Sequence, residues 1–503
     1  MSVLSEAGLS LQASQTAATS NLLTSGRITT DSRSVEKGDI FIAYKGVRQD
    51  SHKYINEILP KFPGLIIYDN PAFAPADDLC NHLLVRNSRE AWAWICAAAS
   101  DHPQKTLKFL GVTGTNGKTS ICWILQKLME HEGLTTLNIG TLGFLLDGKH
   151  FLPNKHTTPD PPEFYQALSE ARHQGARWVV MECSSHSLSQ KKLAPVLFEA
   201  CGWSSFSRDH LDFHETMDAY FEAKWQLFTR HLKPDGRAIL SKSLSPQPDL
   251  TRLGPDIEIC HTDSKADDTI NVNPSKGLRI ESVSHRPGTI ELVLNYKGRQ
   301  YAGKVSLFGH YNLENFLIAC LMFEKATGTF PGPEHWSAVT PVPGRMEFIA
   351  SANGKGPSVC VDFAHTPDAL EKCLSALKPL TKGKLWLVFG CGGDRDAGKR
   401  PEMASVSERF ADHIIVTSDN PRFESPDLII DEIKKGFSQN TSFQVQSDRE
   451  KAIDLAVCSA DSTDTILIAG KGHESVQSVK GVDTPFDDRL IARAKLNKLS
   501  EGL

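Results

Sequence analysis

The sequence predicts an α/β protein of three domains with two mainly parallel sheets, on the strength of two patterns. Near residue 108 an apolar run is followed by a glycine-rich turn and then by a helical stretch. After residue 341 an apolar strand followed by a polar loop recurs four times, and strands that alternate with helical segments form parallel sheets. A chain of 503 residues has room for about three domains. We place the domain limits at residues 1–105, 106–340 and 341–503.

The composition is that of an ordinary soluble globular protein, with 40% hydrophobic and 23% charged residues. A net charge of −5 gives no reason to expect nucleic acid or an anionic membrane as a partner. The eleven cysteines include no C-x-x-C pair, which argues against a disulfide framework or zinc ribbon and favours a reducing cytoplasm. Residues 1–20 lack the pattern of a signal peptide, and no apolar run reaches about 18 residues. We therefore expect a cytoplasmic protein without a membrane span.

The domain limits fall at two polar or turn-rich stretches. Residues 100–106, SDHPQKT, are interpreted as a linker, and residues 341–347, PVPGRME, as a hinge with two prolines and a glycine. The first block contains the strand-like runs DIFIAYKG and GLIIYD. Residues 255–305 are rich in strand-forming residues and predict a β-ribbon insertion or an edge of a sheet.

The stretch GVTGTNGKTS, residues 111–120, predicts a compact phosphate-binding loop. The usual pattern G-x-x-x-x-G-K-[ST] needs a glycine where this chain has Val112, and glycines stand instead at 111, 114 and 117. The context is still that of a phosphate loop, because glycines let backbone N–H groups turn toward an anion and the helix N-terminus adds positive partial charge. Lys118 would reach the terminal phosphates and Thr119 would offer a hydroxyl to Mg²⁺. The alternative is a strand-to-helix turn that merely contains Lys-Thr.

The elements on either side of this turn support the first interpretation. A helix is predicted from Lys118 to a C-terminal cap at Gly133, with apolar residues at helical spacing such as Ile121, Ile124 and Leu128. The later strand RWVVME ends at Glu182, where a phosphate-loop enzyme needs a metal-binding carboxylate. A solvated carboxylate at a strand end is the alternative for Glu182.

From TGTNGKT onward the sequence resembles the Mur ligase family, whose superfamily includes folylpolyglutamate synthase. The ordered motifs are DSRSVEKGDIFIAYKG, HTTPD, MECSSHSLSQKKL, SRDHLDFH, YFEAK, GHYNLEN, GRME, DFAHTPDAL, GCGGDRD, DNPR and AGKGHE. Within the family they resemble the UDP-N-acetylmuramyl-tripeptide synthetases over nearly the whole chain. The resemblance implies a central P-loop-type, ATP-binding parallel sheet and a C-terminal Rossmann-like parallel sheet. It also implies an ATP-dependent ligase of peptidoglycan precursor synthesis that forms an amide bond through an acyl phosphate, and we expect it to act as a monomer.

The resemblance assigns ATP and Mg²⁺ to particular residues. The ATP-binding set is Gly114, Thr115, Asn116, Gly117, Lys118, Thr119, Ser120, Asn312, Arg345, Asp362 and His365. The metal set is Thr119, Glu182, His210 and Lys224, with Lys118, His210 and Lys224 as catalytic residues and Lys224 carbamylated. Without the resemblance Lys224 would be interpreted as a solvated helix lysine. The DHLDFH cluster would be either a metal site or a group of surface side chains, and Asn312, Asp362 and His365 would more often be structural.

The two other substrates are implied in the same way. Contacts to UDP-N-acetylmuramoyl-L-alanyl-D-glutamate fall on Thr30, Ser32, Thr157, Thr158, Ser184, Gln190 and Lys192, each of which could instead cap a turn. Contacts to meso-diaminopimelate fall on Arg395, Asp419, Asn420, Pro421, Arg422, Gly470 and Glu474. An arginine fork binds a carboxylate bidentately, whereas it would repel the ammonium of lysine. Arg422 could alternatively cap a turn or pair with Glu424.

Four positions depart from the family pattern and keep alternative functions open. Ser205 stands where the family has Asn, Ser241 begins SKSL in place of N-x-D-D, Lys192 replaces a common arginine, and His156 replaces Asn. The first two put nucleotide affinity in question. The alternatives are the same ligation with L-lysine, a catalytically weak nucleotide-binding relative, and a folylpolyglutamate synthase, which lacks the DSR and DNPR motifs.

Overall fold

The computed structural model describes residues 26–46, 49–75, 80–152, 156–254, 256–260, 278–286, 288–349 and 356–501. Residues 1–20, on which the signal-peptide prediction rests, lie outside this part of the chain, as do residues 261–277 of the predicted β-rich stretch. None of the helices in the described part has the length and apolarity needed to cross a membrane. All eleven cysteines are free of disulfide bonds.

The N-terminal sheet has four parallel strands in the order β1-β2-β3-β4. Its elements are β1 Ile28–Thr29, β2 Ile40–Ile42, β3 Leu65–Tyr68, β4 His82–Leu84, α1 Ile55–Ile58 and α2 Ser88–Ala99. Strand β3, LIIY, is buried along its whole length, as expected of a strand covered on both faces. The strand-like runs of the first block are thus confirmed.

The central sheet has eight strands in the order β12-β11-β10-β5-β9-β6-β7-β8. The strands are β5 Lys108–Thr113, β6 Thr136–Gly140, β7 Gly143–Leu146, β8 Lys149–Leu152, β9 Trp178–Glu182, β10 Phe198–Trp203, β11 Leu232–Ser241 and β12 Ile257–Cys260. The helices are α3 Lys118–His131, α4 Pro161–His173, α5 Ser185–Ser189, α6 Leu211–His214 and α7 Met217–Thr229. The strands from β12 to β6 run parallel, and β7 and β8 add an antiparallel edge.

A three-stranded antiparallel ribbon and two helices follow. They are β13 Leu278–Arg286, β14 Thr289–Tyr296, β15 Arg299–Val305, α8 His310–Thr327 and α9 Pro333–Ser337. The described part of residues 255–305 therefore contains both predicted forms, an edge strand (β12) and a ribbon. Helix α8 is buried along much of its length and packs against α3 and β10, which joins it to the core under the glycine turn.

The C-terminal sheet has six strands in the order β16-β17-β21-β18-β19-β20. Its strands are β16 Glu347–Ile349, β17 Ser358–Asp362, β18 Leu385–Phe389, β19 His413–Val416, β20 Gln444–Val445 and β21 Thr465–Ala469, with a hairpin of β22 Val476–Val479 and β23 Val482–Pro485 beside them. The helices are α10 Pro367–Leu377, α11 Lys399–Phe410, α12 Pro426–Lys434, α13 Arg449–Ser459 and α14 Asp488–Glu501. Only β16 of this sheet pairs antiparallel.

The predicted class, α/β with two mainly parallel sheets, is therefore confirmed, while the three domain limits stay predictions. The four strand-and-loop units predicted after residue 341 are β17, β18, β19 and β21. In both large sheets the polar loops follow the carboxyl ends of the strands, where ligands of open α/β sheets bind.

Candidate functional site

The phosphate loop, residues 114–117, connects β5 to α3 and needs glycine at two positions. Gly114 and Gly117 have φ values of 149° and 89°, which side chains rarely adopt. A Cβ on Gly117 would also lie 2.5 Å from Asn315 Oδ1. Gly111 has another purpose, because a Cβ there would lie 2.7 Å from the ring of Phe198 inside β5. Gly111 therefore belongs to the strand, and the loop, which begins at Gly114, is shorter than in the usual pattern.

The loop is held from the adjacent strand end by Ser204 and Ser205. Ser205 Oγ accepts a hydrogen bond from Asn116 N at 2.9 Å and lies 3.1 Å from Asn116 O, and Thr115 N donates to Ser205 O at 2.9 Å. Ser204 Oγ donates to Asn116 O as well. Both serines are buried. Ser205, although it departs from the family pattern, thus anchors the loop.

Lys118 folds back over the loop. Its Nζ donates to Gly114 O at 2.8 Å and to Thr115 O at 3.0 Å. Burial lowers the pKa of Lys118, and the nearby carboxylates of Glu182 and Asp209 act in the opposite direction. A cation at the start of α3, beside the helix N-terminus, is suited to meet phosphate oxygens.

Glu182, Thr119 and Arg345 meet beside this lysine. Thr119 Oγ1 donates to Glu182 Oε1 at 3.0 Å, and the backbone N–H of Thr141 donates to the same oxygen at 2.8 Å. Glu182 is 1% exposed, so the alternative of a solvated carboxylate is wrong. Arg345 Nη2 donates to Thr119 Oγ1 at 3.2 Å, and Arg345 Nε is buried without a hydrogen-bond partner among the described residues. That unsatisfied donor fits an anionic ligand such as a phosphate.

Lys224 is buried, so the alternative of a solvated lysine is also wrong. It is 1% exposed, its Nζ donates to Gly114 O at 2.8 Å, and it lies 4.5 Å from the ring centroid of Tyr220. Burial, and then the charge of Lys118, lower the pKa of Lys224 well below its usual value. His210 lies nearby, and burial lowers its pKa as well.

The opposite wall is formed by Arg395, Asp419, Asn420, Arg422 and Glu474, here called the amino-acid wall. Arg422 Nη1 donates to Gly393 O at 2.7 Å, and burial and then the charge of Arg395 lower the pKa of Arg422. Asn420 Nδ2 donates to Glu474 Oε2 at 2.7 Å. Glu424 pairs with Arg400 at 2.9 Å instead of with Arg422, so the alternative of an Arg422–Glu424 pair is wrong.

The two walls enclose one cavity of about 380 Å³. The residues that line it are Thr115, Asn116, Gly117, Lys118, Thr119, Thr141, Thr157, Glu182, Asp209, His210, Asp212, Arg345, Phe363, His365, Gly392, Arg395, Asp396, Lys399, Asp419, Asn420, Arg422, Gly470 and Glu474. Most of this lining comes from the end of β9 and the loops after β5, β6 and β10 of the central sheet, and from the loops after β17, β18, β19 and β21 of the C-terminal sheet.

Several predicted site residues do not line this cavity. They are Gly114, Ser120, Asn312, Asp362, Lys224, Thr30, Ser32, Thr158, Ser184, Gln190, Lys192 and Pro421. Asn312 donates to Phe308 O at 2.7 Å at the start of α8, and Asp362 accepts from Met346 N at 2.7 Å, which ties the end of β17 to the hinge. Thr158 donates to Glu182 O, and Ser184 caps α5. Lys192 pairs with Asp160 at 2.6 Å.

Other lining residues were not predicted. Thr141 directly follows β6, so the rule that polar residues gather after strand ends would have found it. Asp209 stands directly before His210 in SRDH and could have been included with it. Lys399 begins α11, well after the glycine-rich loop that follows β18, and no local pattern separates it from a surface lysine.

Polar contacts made by three residues, Asn116, Arg208 and Arg345, join the central-sheet side of the cavity to the C-terminal-sheet side. Asn116 Nδ2 donates to Asp368 Oδ2 at 3.0 Å, which ties the phosphate loop to the first turn of α10. Arg208 lies 3.2 Å from Glu402 and 3.6 Å from Asp396. Arg345 makes the hydrogen bond to Thr119. The cavity is therefore a shared site that neither sheet completes alone.

Comparison with known proteins assigns this arrangement to a family. The family model of the Mur ligase middle domain matches residues 112–323, and that of the Mur ligase, glutamate ligase domain matches residues 344–472. The chain belongs to the Mur ligase family. This confirms the family resemblance inferred from the motifs. It also confirms the prediction that the protein is an ATP-dependent ligase.

Relatives of this Mur ligase match over nearly its whole length. A UDP-N-acetylmuramoyl-L-alanyl-D-glutamate–2,6-diaminopimelate ligase of Coxiella burnetii is 37% identical over 487 residues, covering 93% of this chain and 94% of the relative. The enzyme of the same name from Aquifex aeolicus is 35% identical over 467 residues, covering 93% and 92%.

Solved structures share the fold. One with the same ligase name aligns with a TM-score of 0.61 at 30% identity, covering 94% of this Mur ligase and 95% of that chain. A Mycobacterium tuberculosis folylpolyglutamate synthase complexed with ADP and AMPPCP aligns with a TM-score of 0.60, covering 82% and 95%. At 17% identity the latter shows the fold alone.

Proposed function

We propose that this Mur ligase joins meso-diaminopimelate to UDP-N-acetylmuramoyl-L-alanyl-D-glutamate at the expense of ATP, in the synthesis of a peptidoglycan precursor. The observation that carries the proposal is the single cavity in which a phosphate loop faces a wall containing two arginines and two carboxylates. The free end of diaminopimelate has both an ammonium and a carboxylate, and this wall offers partners for both. Relatives at 35–37% identity bear the name of this ligase, which also favours it over a folylpolyglutamate synthase.

The reaction would proceed in two steps. A carboxylate oxygen of the UDP-dipeptide attacks the γ-phosphate of ATP, releasing ADP and forming an acyl phosphate. The unprotonated amine of diaminopimelate then attacks the acyl carbon, and phosphate leaves with the amine's proton as the amide forms. Lys118 and Arg345 would stabilise the phosphate charge, while Arg395 and Arg422 would hold the distal carboxylate and Glu474 the distal ammonium. Asn116 and His365 would contact the nucleotide.

The donor set at Glu182 fits Mg²⁺. The carboxylate and the hydroxyl of Thr119 are hard oxygen donors 3.0 Å apart. In the described part of the chain no group of three or more His, Cys, Asp or Glu side chains is placed to hold a metal. Mg²⁺ commonly takes one or two protein ligands together with water and phosphate oxygens. When bound it would neutralise phosphate charge, with His210 and a carbamate on Lys224 as the proposed further ligands.

Six residues predicted to bind UDP-N-acetylmuramoyl-L-alanyl-D-glutamate do not line the cavity. They would contact the parts of that substrate remote from the reacting carboxylate, and they are Thr30, Ser32, Thr158, Ser184, Gln190 and Lys192. The lowered pKa of Lys224 supports carbamylation, because the neutral amine is the form that adds to carbon dioxide. We place the monomeric enzyme in the cytoplasm, which eleven free cysteines support.

The test is phosphate release by the purified protein with Mg-ATP and UDP-N-acetylmuramoyl-L-alanyl-D-glutamate. Parallel reactions contain meso-diaminopimelate, L-lysine or no amino acid. We expect release and a tripeptide product with diaminopimelate alone. Activity with lysine alone would support the proposed ligase activity but overturn the proposed role of Arg422 in binding diaminopimelate. Absence of turnover in folded, carbamylated protein would overturn the proposed activity and favour the catalytically weak relative.

A further inference from the structure

Lys471 is a buried cation beneath the amino-acid wall that the proposed reaction leaves without a role. It stands two residues after β21, in the AGKGHE segment, and is fully buried at 0% exposure. Taking a lysine ammonium out of water is costly unless the charge is paired and hydrogen-bonded. The position therefore requires that its partners compensate that cost.

The partners of Lys471 occupy all three of its donors. Nζ donates to Asn420 Oδ1 at 2.9 Å, to Glu474 Oε2 at 2.9 Å and to Val476 O at 2.7 Å. An ammonium group has three N–H donors and no acceptor. With each donor used inside the protein, Lys471 has none left for a ligand.

Two of these three partners line the cavity, and the third begins the hairpin β22–β23. Asn420 and Glu474 follow different strands, β19 and β21, and their side chains are also joined directly by the Asn420 Nδ2–Glu474 Oε2 hydrogen bond of 2.7 Å. Asn420 Oδ1 accepts a second hydrogen bond, from Ser478 N at 3.0 Å. One lysine thus fixes three segments that meet at the amino-acid end of the cavity.

We infer that Lys471 is a positioning residue for the amino-acid substrate and acts through Glu474 and Asn420. Its ammonium donates to Glu474 Oε2, which also accepts from Asn420 Nδ2, so that the remaining carboxylate oxygen is presented to an incoming ammonium in one orientation. Its bond to Asn420 Oδ1 fixes the amide so that the NH₂ group faces Glu474. The inference rests on the proposed function, since it requires that an amino acid bind at this wall.

The test compares Lys471→Met with Lys434→Met. Lys434 also pairs with an acid three residues away, Asp431 at 2.8 Å, but on the exposed face of α12. We expect Lys471→Met to raise the KM for diaminopimelate about tenfold or more, because a buried charged hydrogen bond is lost, while the KM for ATP is unchanged. Lys434→Met should change neither. An unchanged KM for diaminopimelate in Lys471→Met would overturn the inference.

A double-substitution cycle separates positioning from general damage. If Lys471 acts through Glu474, then Lys471→Met added to Glu474→Gln should raise the KM for diaminopimelate much less than it does in the parent protein. Equal effects in both backgrounds would overturn the inference. ATP-analogue binding and thermal denaturation show whether each variant is folded. If the parent protein itself turns over no amino acid, the proposed function has failed rather than this inference.

Discussion

The phosphate loop and the amino-acid wall face each other across one cavity, yet the chain builds them differently. The phosphate side comes from one continuous segment, strand β5 through helix α3, with Glu182 added from the neighbouring strand. The amino-acid wall collects side chains from loops after β18, β19 and β21, which are separated by long stretches of chain. A site made from one segment depends on local backbone geometry, whereas a site made from several depends on the cross-links between them.

The difference explains what the sequence could predict. The glycine turn, Lys118 and Thr119 form a pattern in ten residues, and Glu182 is recognisable as a carboxylate at the end of an apolar strand. Lys471 carries no such signal, because a lysine between two glycines does not reveal that it is fully buried. The supporting contacts of Ser204, Ser205 and Asp368 were likewise missed, since they depend on which loops pack together.

The largest effect is expected from removing Lys118, the cation at the phosphate loop. We expect Lys118→Met to lower kcat about a thousandfold, because a preorganised charge at the transferring phosphoryl group is lost. Phosphate release under saturating substrates measures it. Lys127→Met is the matched control, since Lys127 lies on the same helix and pairs with Glu130 at 2.7 Å. A small loss in Lys118→Met would mean that the local pattern is not the catalytic phosphate site.

The amino-acid wall is tested by Arg422→Lys, which keeps the charge and removes the planar fork. We expect the KM for diaminopimelate to rise about ten- to a hundredfold with little change in the KM for ATP. Arg409→Lys, at an exposed pair with Glu371, is the control. An increase confined to the KM for ATP would contradict the division of the cavity into two walls.

Ser205→Ala probes how far the phosphate loop depends on its neighbours. Loss of the hydroxyl that bonds Asn116 should raise the KM for ATP about fivefold. The control is Ser407→Ala, which removes a buried hydroxyl bonded to Ala404 O in α11. If the KM for ATP is the same in both variants, the loop keeps its shape without the Ser205 hydroxyl. The phosphate loop would then not depend on its contact with the neighbouring strand end.

The smallest expected effect concerns pH, through the buried His214 beside the phosphate side. Burial lowers its pKa to about 4 in the folded protein, below the ordinary value near 6.5. The unfolded chain therefore takes up a proton first as pH falls, so stability is full above 6.5 and is lost between 6.5 and about 4. The loss of unfolding free energy between pH 7 and pH 5, measured by denaturant unfolding, should be smaller by about 2 kcal/mol in His214→Asn than in the parent protein. Exposed His150→Asn should leave the loss unchanged, and an identical loss in His214→Asn would refute the assignment.

The volume of the cavity bears on the competition between amide formation and hydrolysis of the acyl phosphate. At about 380 Å³ it has room for roughly a dozen water molecules, each of which occupies about 30 Å³ in the liquid. An acyl phosphate formed there would react either with the amine of the second substrate or with water, and reaction with water would consume ATP without forming an amide. The Asn116–Asp368 hydrogen bond, one of the contacts that join the two sides of the cavity, would therefore favour amide formation over hydrolysis by limiting the entry of water.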